Sequence, residues 1–373
     1  MAGAPRSRRV AERGRRLLFA LVAQLLVLGG AELVLRALPP PPAPAITLPF
    51  GRLPREIVQD DVLGWRLASG VRPANDERRR WAARWGVTLS PEPELPISPD
   101  GHRDQPLAER GDRPLVLAVG DSSVYGEGVL WHETFAQQLE RRLQGTVAVQ
   151  NLGVPGYSTW QALHSALELA SLKPAAVIVY VNSDRAATSG GTDGAWFRRP
   201  GRGLAVQLGG LRIFRWVQAL VDPVVKPGAD AGKRVRVPLS DHHQALAAWA
   251  DAVHSGPLAG TKLVFVSPGL QSDLRRLDPL LGAGAGPPEW TSLLANASEH
   301  GGDPRAYHAA LGLAANREQW GFVGGAALFH ARCLEHDCAK DHGPFVDELH
   351  PSKVGHGWLA EALEAPVRLA TGR

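Results

Sequence analysis

Cysteine is nearly absent from this 373-residue chain. Its two cysteines, Cys333 and Cys338, permit at most one intramolecular disulfide, so a scaffold framed by several bridges is excluded. An excess of one charge is also lacking. The chain carries 41 Lys+Arg against 37 Asp+Glu, a balance at odds with wholesale disorder. The 41 glycines and 30 prolines show no G-X-Y period, which removes the fibrous class, and no internal repeat is visible. No glycine loop of the P-loop or dinucleotide type is present. The two cysteines lie near His330, His336 and His342, but their spacing matches no ordinary four-ligand zinc framework. Paired carboxylates of the glycosidase kind have no distinctive support either. What is present is 44% hydrophobic residues, enough to core one large domain or two small ones.

The net charge of +4 and pI near 9.3 invite a nucleic-acid reading until the charge is located. Residues 1–38 hold seven arginines against Glu12 and Glu32, a local +5, and the rest of the chain sums to −1. Six of those arginines precede an uncharged run from Leu17 to Ala31, which continues past Glu32 through Leu33, Val34 and Leu35. The run is apolar on all sides, unlike a buried amphipathic helix. It is short for a span of about 20 residues, but Glu32 and Arg36 lie near its far end, where long side chains reach the interface. Arginines on the N-terminal side predict a cytoplasmic N-terminus and an exported remainder. A cleaved signal peptide shares the same layout, but no good small-x-small cleavage site follows the run before Pro39. The expectation is a single-pass inner-membrane anchor with a periplasmic or extracellular body, the membrane as a partner and nucleic acid not.

After the anchor, residues 39–111 form a Pro-rich spacer and lead-in, with Trp65, Trp81 and Trp85 as candidate packing anchors. From residue 112 to 373 the texture changes to short β-branched runs alternating with helical periodicity. Strands are expected at Leu115–Val119, Val147–Leu152, Ala175–Val181, Lys262–Ser267 and Ala327–Arg332. Helices are expected at Glu133–Leu143, Thr159–Leu172, Asp241–His254, near Arg305–Gln319 and at Lys353–Leu369, with Ser158 and Ser240 placed as N-caps. Such alternation implies a five-stranded parallel sheet covered on both faces. An insertion, 185–240, breaks the rhythm and contains a helix-like stretch at 211–221; a cover over the site and a packed insertion without a direct role are both open.

Four segments fall just after predicted strand ends, where open α/β sheets place their sites. Gly120-Asp121-Ser122-Ser123 presents a serine where strand hands over to helix. Asn151-Leu152-Gly153-Val154-Pro155-Gly156-Tyr157-Ser158 brings glycine amides near a ligand, and Val181-Asn182-Ser183-Asp184 offers a side-chain amide. Asp347-Glu348-Leu349-His350 sets a carboxylate three residues before a histidine, so one loop delivers a base and its orienting acid.

These blocks resemble those of the SGNH (GDSL) hydrolase superfamily over roughly residues 100–370. The lead-in phrases DDVLGW and SPDGHRDQ, and Tyr125-Gly126-Glu127-Gly128-Val129, are similar to membrane-anchored bacterial members. The resemblance implies a flavodoxin-like three-layer α/β/α fold and a serine esterase or acyltransferase needing no metal and no cofactor. By the same resemblance Ser122 is the nucleophile, His350 the base and Asp347 its partner, with the Ser122 and Gly156 amides as oxyanion donors. The third donor departs from the pattern G-x-N-D. Aligning Asp184 with the final Asp puts Ser183 at the asparagine position, and Asn182 one residue early. Asn182 is the preferred donor and Ser183 its alternative.

The expected activity is hydrolysis of an O-acyl ester on a small molecule, a cell-envelope glycan or a lipid. Transfer of the acyl group by the same triad, or binding without catalysis, are the alternatives. An exported body would allow a Cys333–Cys338 disulfide. His164, His242, His243 and His356 are placed on helices without a nameable partner, and Asn296-Ala297-Ser298 is read as a chance glycosylation motif.

Overall fold

The computed structural model describes residues 5–38, 54–60, 62–74, 76–85, 94–188, 191–198, 211–221, 234–274, 276–282, 286–298, 302–336, 338 and 343–373. His342 and the side chains of Trp81 and Trp85 lie outside the described part. The chain divides into two units. One joins Met1–Ala45 to Arg199–Val224, and the other comprises Ile46–Arg198 and Val225–Arg373. In the first, a helix runs over Pro5–Ala37, and its stretch Arg15–Ala37 is the one described helix long and apolar enough to cross a membrane. A second helix of this unit, Arg212–Val221, occupies the expected helix-like stretch.

The second unit is built on a parallel sheet of β1 (Leu115–Gly120), β2 (Ala148–Gly153), β3 (Ala176–Tyr180), β4 (Lys262–Ser267) and β5 (Gly321–Gly324). Their spatial order is 2-1-3-4-5, the flavodoxin-like arrangement, whose switch point lies between β1 and β3. All residues of β1, β2 and β3 are buried because helices cover both faces. Alternate residues divide between two cores. Leu115, Leu117 and Val119 pack with Trp160, Leu163, Trp249 and Leu311; Val116 and Ala118 pack with Phe135, Leu139, Phe329 and Leu359. The three-layer α/β/α class expected from the sequence is the observed one.

Four expected strands stand where the β-branched runs placed them, within a residue or two. The fifth does not. Ala327–Arg332 lies inside a helix, Gly325–Glu335, and β5 is the preceding Gly-Phe-Val-Gly. A strand flanked by glycines carries little β signal, yet the glycine that opens the helix is required by packing. A Cβ on Gly325 would stand 2.2 Å from the carbonyl oxygen of Ser267 at the end of β4.

The lead-in folds onto this unit through a hairpin, Ile57–Asp60 paired with Gly64–Leu67. Trp65 is fully buried there; its Nε1 donates to the Pro155 carbonyl at 2.9 Å, and Tyr157 Oη donates to the Trp65 carbonyl at 2.6 Å. A tryptophan of the lead-in thus braces the loop that carries Gly156.

Candidate active site

Ser122 opens a single helical turn, Ser122–Tyr125, directly after β1. Asp121 caps that turn by accepting from the Ser123 amide at 3.0 Å. The same carboxylate spans the switch point, with Oδ2 accepting from the amides of Asn182 and Ser183 at 2.6 and 2.8 Å and from Ser183 Oγ at 2.8 Å. The Ser122 turn and the loop after β3 are therefore held by one buried side chain. Burial pushes the Asp121 carboxyl up against the pull of those hydrogen bonds.

The fold brings Ser122, His350 and Asp347 together. His350 Nε2 lies 2.8 Å from Ser122 Oγ, and His350 Nδ1 lies 2.7 Å from Asp347 Oδ2. The other oxygen of Asp347 accepts the amides of Leu349 and His350 at 2.8 and 2.9 Å, which fixes the carboxylate in its loop. Burial opposes the charge on Asp347, but the His350 hydrogen bond and charge and the two amides outweigh it and lower the carboxyl to about 2. Burial likewise opposes protonation of His350, and Asp347, followed by Glu127 and Asp121, reverses the balance and raises the imidazole. An ionised Asp347 orients His350 with Nε2 directed at the serine, the arrangement of a general base.

Among the described residues, nothing accepts a hydrogen bond from the amides of Ser122 or Gly156. Gly156 is held through its own carbonyl, to which the buried Arg236 guanidinium donates while pairing with Asp193 at 2.6 Å. Asn151 holds the two loops at a fixed distance. Its Nδ2 donates to the Val124 carbonyl at 2.8 Å, and its Oδ1 accepts the Gly153 amide at 2.9 Å. The approach is close enough that a Cβ on Gly153 would sit 2.0 Å from the Tyr125 nitrogen.

The two block-three candidates are placed differently. Asn182 is buried, its Nδ2 donating to Ser123 Oγ at 3.2 Å, while Ser183 turns its hydroxyl to Asp121. Asp184, next in the block, accepts from the Thr159 amide and hydroxyl at 2.8 and 2.6 Å and lies 2.8 Å from His242 Nδ1. His242, without a partner in the sequence reading, thus has one in Asp184. His356 also acquires a partner, accepting the Phe135 amide on Nδ1 at 3.1 Å; burial lowers its imidazole to about 3. His164 stacks on Phe197.

The lead-in contributes residues that the sequence reading passed over. Arg103 is fully buried and donates to the carbonyls of Tyr125, Gly126 and Val129 at 2.8, 2.7 and 2.6 Å, with Glu94 as its ion-pair partner. Asp104 accepts from the Asn151 amide and from Gln137 Nε2, both at 2.8 Å. Their signal was a run of charge, DGHRD, just ahead of a domain boundary drawn by composition.

Cys333 and Cys338 are joined as a disulfide with Cα atoms 5.3 Å apart. The nearby His330 and His336 contact the Asp273 carbonyl and the Trp358 ring. Among the described residues no group of three or more His, Cys, Asp or Glu is arranged to hold a metal ion.

No protein-family model and no curated protein matches the chain. Solved structures do. A lipase/acylhydrolase from Enterococcus faecalis is 14% identical, with 70% of this chain and 96% of that one covered and a TM-score of 0.36. A carbohydrate acetylesterase family member from Sinorhizobium meliloti is 15% identical, covering 70% and 100%, with a TM-score of 0.36. An α/β hydrolase from the metagenome of Lake Arreo, Spain, is 16% identical, covering 70% and 95%, with a TM-score of 0.38.

Proposed function

We propose that this protein is a membrane-anchored serine esterase that hydrolyses an O-acyl ester. The observation that carries the reading is the continuous line from Asp347 through His350 to Ser122, two contacts of 2.7 and 2.8 Å at the carboxyl edge of the parallel sheet. Ser122 Oγ attacks the acyl carbonyl carbon while His350 Nε2 takes its proton; Asp347 stabilises the imidazolium. The carbonyl oxygen becomes an oxyanion held by the Ser122 and Gly156 amides and by Asn182 Nδ2. Collapse of that intermediate breaks the ester bond, His350 returns its proton to the leaving alcohol, and water then hydrolyses the acyl-enzyme by the same proton route. Asn182 is the favoured third donor because its amide keeps a second hydrogen beyond the one given to Ser123, whereas the Ser183 hydroxyl has its only hydrogen on Asp121.

Position supports the rest. The apolar helix Arg15–Ala37 follows a run of arginines, so the catalytic unit stands on the exported side of an inner membrane, beside acylated envelope glycans and lipids. Labelling of the detergent-solubilised full chain by a fluorophosphonate tests the chemistry. Labelling lost in Ser122→Ala is the expected result. A wild-type protein that stays unlabelled would refute it, as would a Ser122→Ala variant that labels equally well.

A further inference from the structure

Glu32 is the one acid within the apolar stretch, and the structure shows what holds it there. Its Oε1 accepts the Arg212 amide at 3.0 Å and Arg36 Nε at 2.8 Å, and its Oε2 accepts the Ile213 amide at 2.9 Å. A side chain of the anchor therefore satisfies two of the free N–H groups at the start of the helix Arg212–Val221, 180 residues further on. Along residues 15–38, only Ala31, Glu32 and Leu35 are partly covered; Leu33 and Val34, on the other sides of the same turns, are exposed. The short helix thus meets the anchor on one side of its last two turns, where the apolar run ends.

From this we infer that Arg212–Val221 is an interfacial helix that lies in the lipid headgroup surface beside the anchor, its apolar face toward the acyl chains. The inference rests on the anchored reading proposed above. Ten residues give a helix of about 15 Å, half of the ~30 Å hydrocarbon core, so it cannot span. At 100° per residue, Ile213, Trp216, Val217, Leu220 and Val221 fall on one arc, while Arg212, Arg215 and Gln218 fall on the other. An apolar arc with a tryptophan, backed by arginines, is the composition that seats a helix at a bilayer surface and attracts anionic lipid. Val217, on the apolar arc, is 51% exposed. The anchor fixes the occupant: a helix tied to the end of a spanning segment begins at the level of the headgroups. The consequence for function is that this helix of the insertion belongs to the membrane, which brings the esterase's substrate class toward acyl groups presented at a lipid surface.

Spin labelling tests this with the full chain in phosphatidylethanolamine–phosphatidylglycerol vesicles. The native cysteines are paired, so Val217→Cys supplies the sole reactive thiol. The label is expected to be accessible to oxygen and shielded from an aqueous nickel complex, at a depth of about 5–10 Å below the phosphates. A label at Leu25→Cys reports the anchor itself. Glu32→Ala should cost the Val217 label its shielding while leaving the Leu25 label, and turnover of a soluble ester, unchanged. A Val217 label open to nickel, or closed to both reagents as in a protein interface, overturns the inference. An unchanged Val217 label in Glu32→Ala overturns the role of Glu32. A nickel-accessible Leu25 label shows that the anchored reading has failed, and the interfacial helix falls with it.

Discussion

The Oδ2 atom of Asp121 accepts the hydroxyl of Ser183 at 2.8 Å, so Ser183 is tied to the turn that carries Ser122. The roles of Asn182 and Ser183 therefore separate. On the proposed mechanism Asn182→Ala removes an oxyanion donor and should lower kcat about 100- to 1,000-fold with KM little changed. Ser183→Ala removes a hydrogen bond to a carboxylate, an effect on stability of about 1.5–3 kcal/mol, and should leave more activity than Asn182→Ala. Steady-state kinetics beside urea denaturation of the two variants checks the pair; the reverse order of activities moves the donor to Ser183.

The charge balance around His350 sets a pH dependence. As the proposed base, His350 must be neutral to accept the serine proton, and its pKa is raised above the ordinary 6.5 despite burial, chiefly by the Asp347 hydrogen bond and charge. The acid limb of kcat/KM should therefore have its midpoint above 6.5. Asp347→Asn should move that midpoint down and lower kcat by about 10⁴-fold. Stability follows the opposite pattern for the two partners. The depressed carboxyl of Asp347 stabilises the fold above its unfolded pKa, an effect lost as pH falls toward about 2. The raised imidazole stabilises below its unfolded pKa, an effect lost as pH rises through the folded value. A pH–rate profile of wild type and Asp347→Asn measures the first claim, and melting temperatures across the same range measure the second.

Much of this site was legible because its chemistry is local in sequence. Asp347 and His350 share a loop, and Ser122 follows a strand whose five apolar residues announce it. The strand β5 was not legible, because Gly321-Phe322-Val323-Gly324 trades β propensity for close packing, while Ala327–Arg332 has the apolar run without the strand. Asp184 and His242 could not be paired by reading, since 58 residues and the whole insertion separate them. Arg103 and Glu94 were hidden differently. A charged segment reads as solvated surface unless the fold encloses it, and only tertiary contacts reveal that three carbonyls await the guanidinium.

That enclosure gives a stability prediction. Arg103→Met takes the Arg103 guanidinium from buried Glu94 and removes a donor from the carbonyls of Tyr125, Gly126 and Val129, which should cost about 3–5 kcal/mol. Adding Glu94→Gln should recover part of that loss, so the double variant is more stable than the sum of the single ones. A double-mutant cycle by chemical denaturation measures the coupling. Additive losses would mean that the pair is incidental to the fold.

The disulfide bears on both compartment and catalysis. Cys338 accepts the Gly343 amide on its carbonyl at 2.8 Å, and the Gly343 carbonyl accepts from Ser352 Oγ at 2.9 Å, just past His350. The bridge is thus connected to the foot of the Asp347–His350 loop through backbone and one hydroxyl, and it closes a loop of about six residues, which chain entropy values at about 2 kcal/mol. Replacing both cysteines by serine should lower stability by about that amount and leave kcat within a few-fold, because Asp347 and His350 keep their own hydrogen bonds. Thiol alkylation of membranes prepared without reductant separates the structural claim from the topological one. Protection of both cysteines until a reductant is added is the outcome for an exported, oxidised protein, and ready alkylation would place this unit in a reducing compartment.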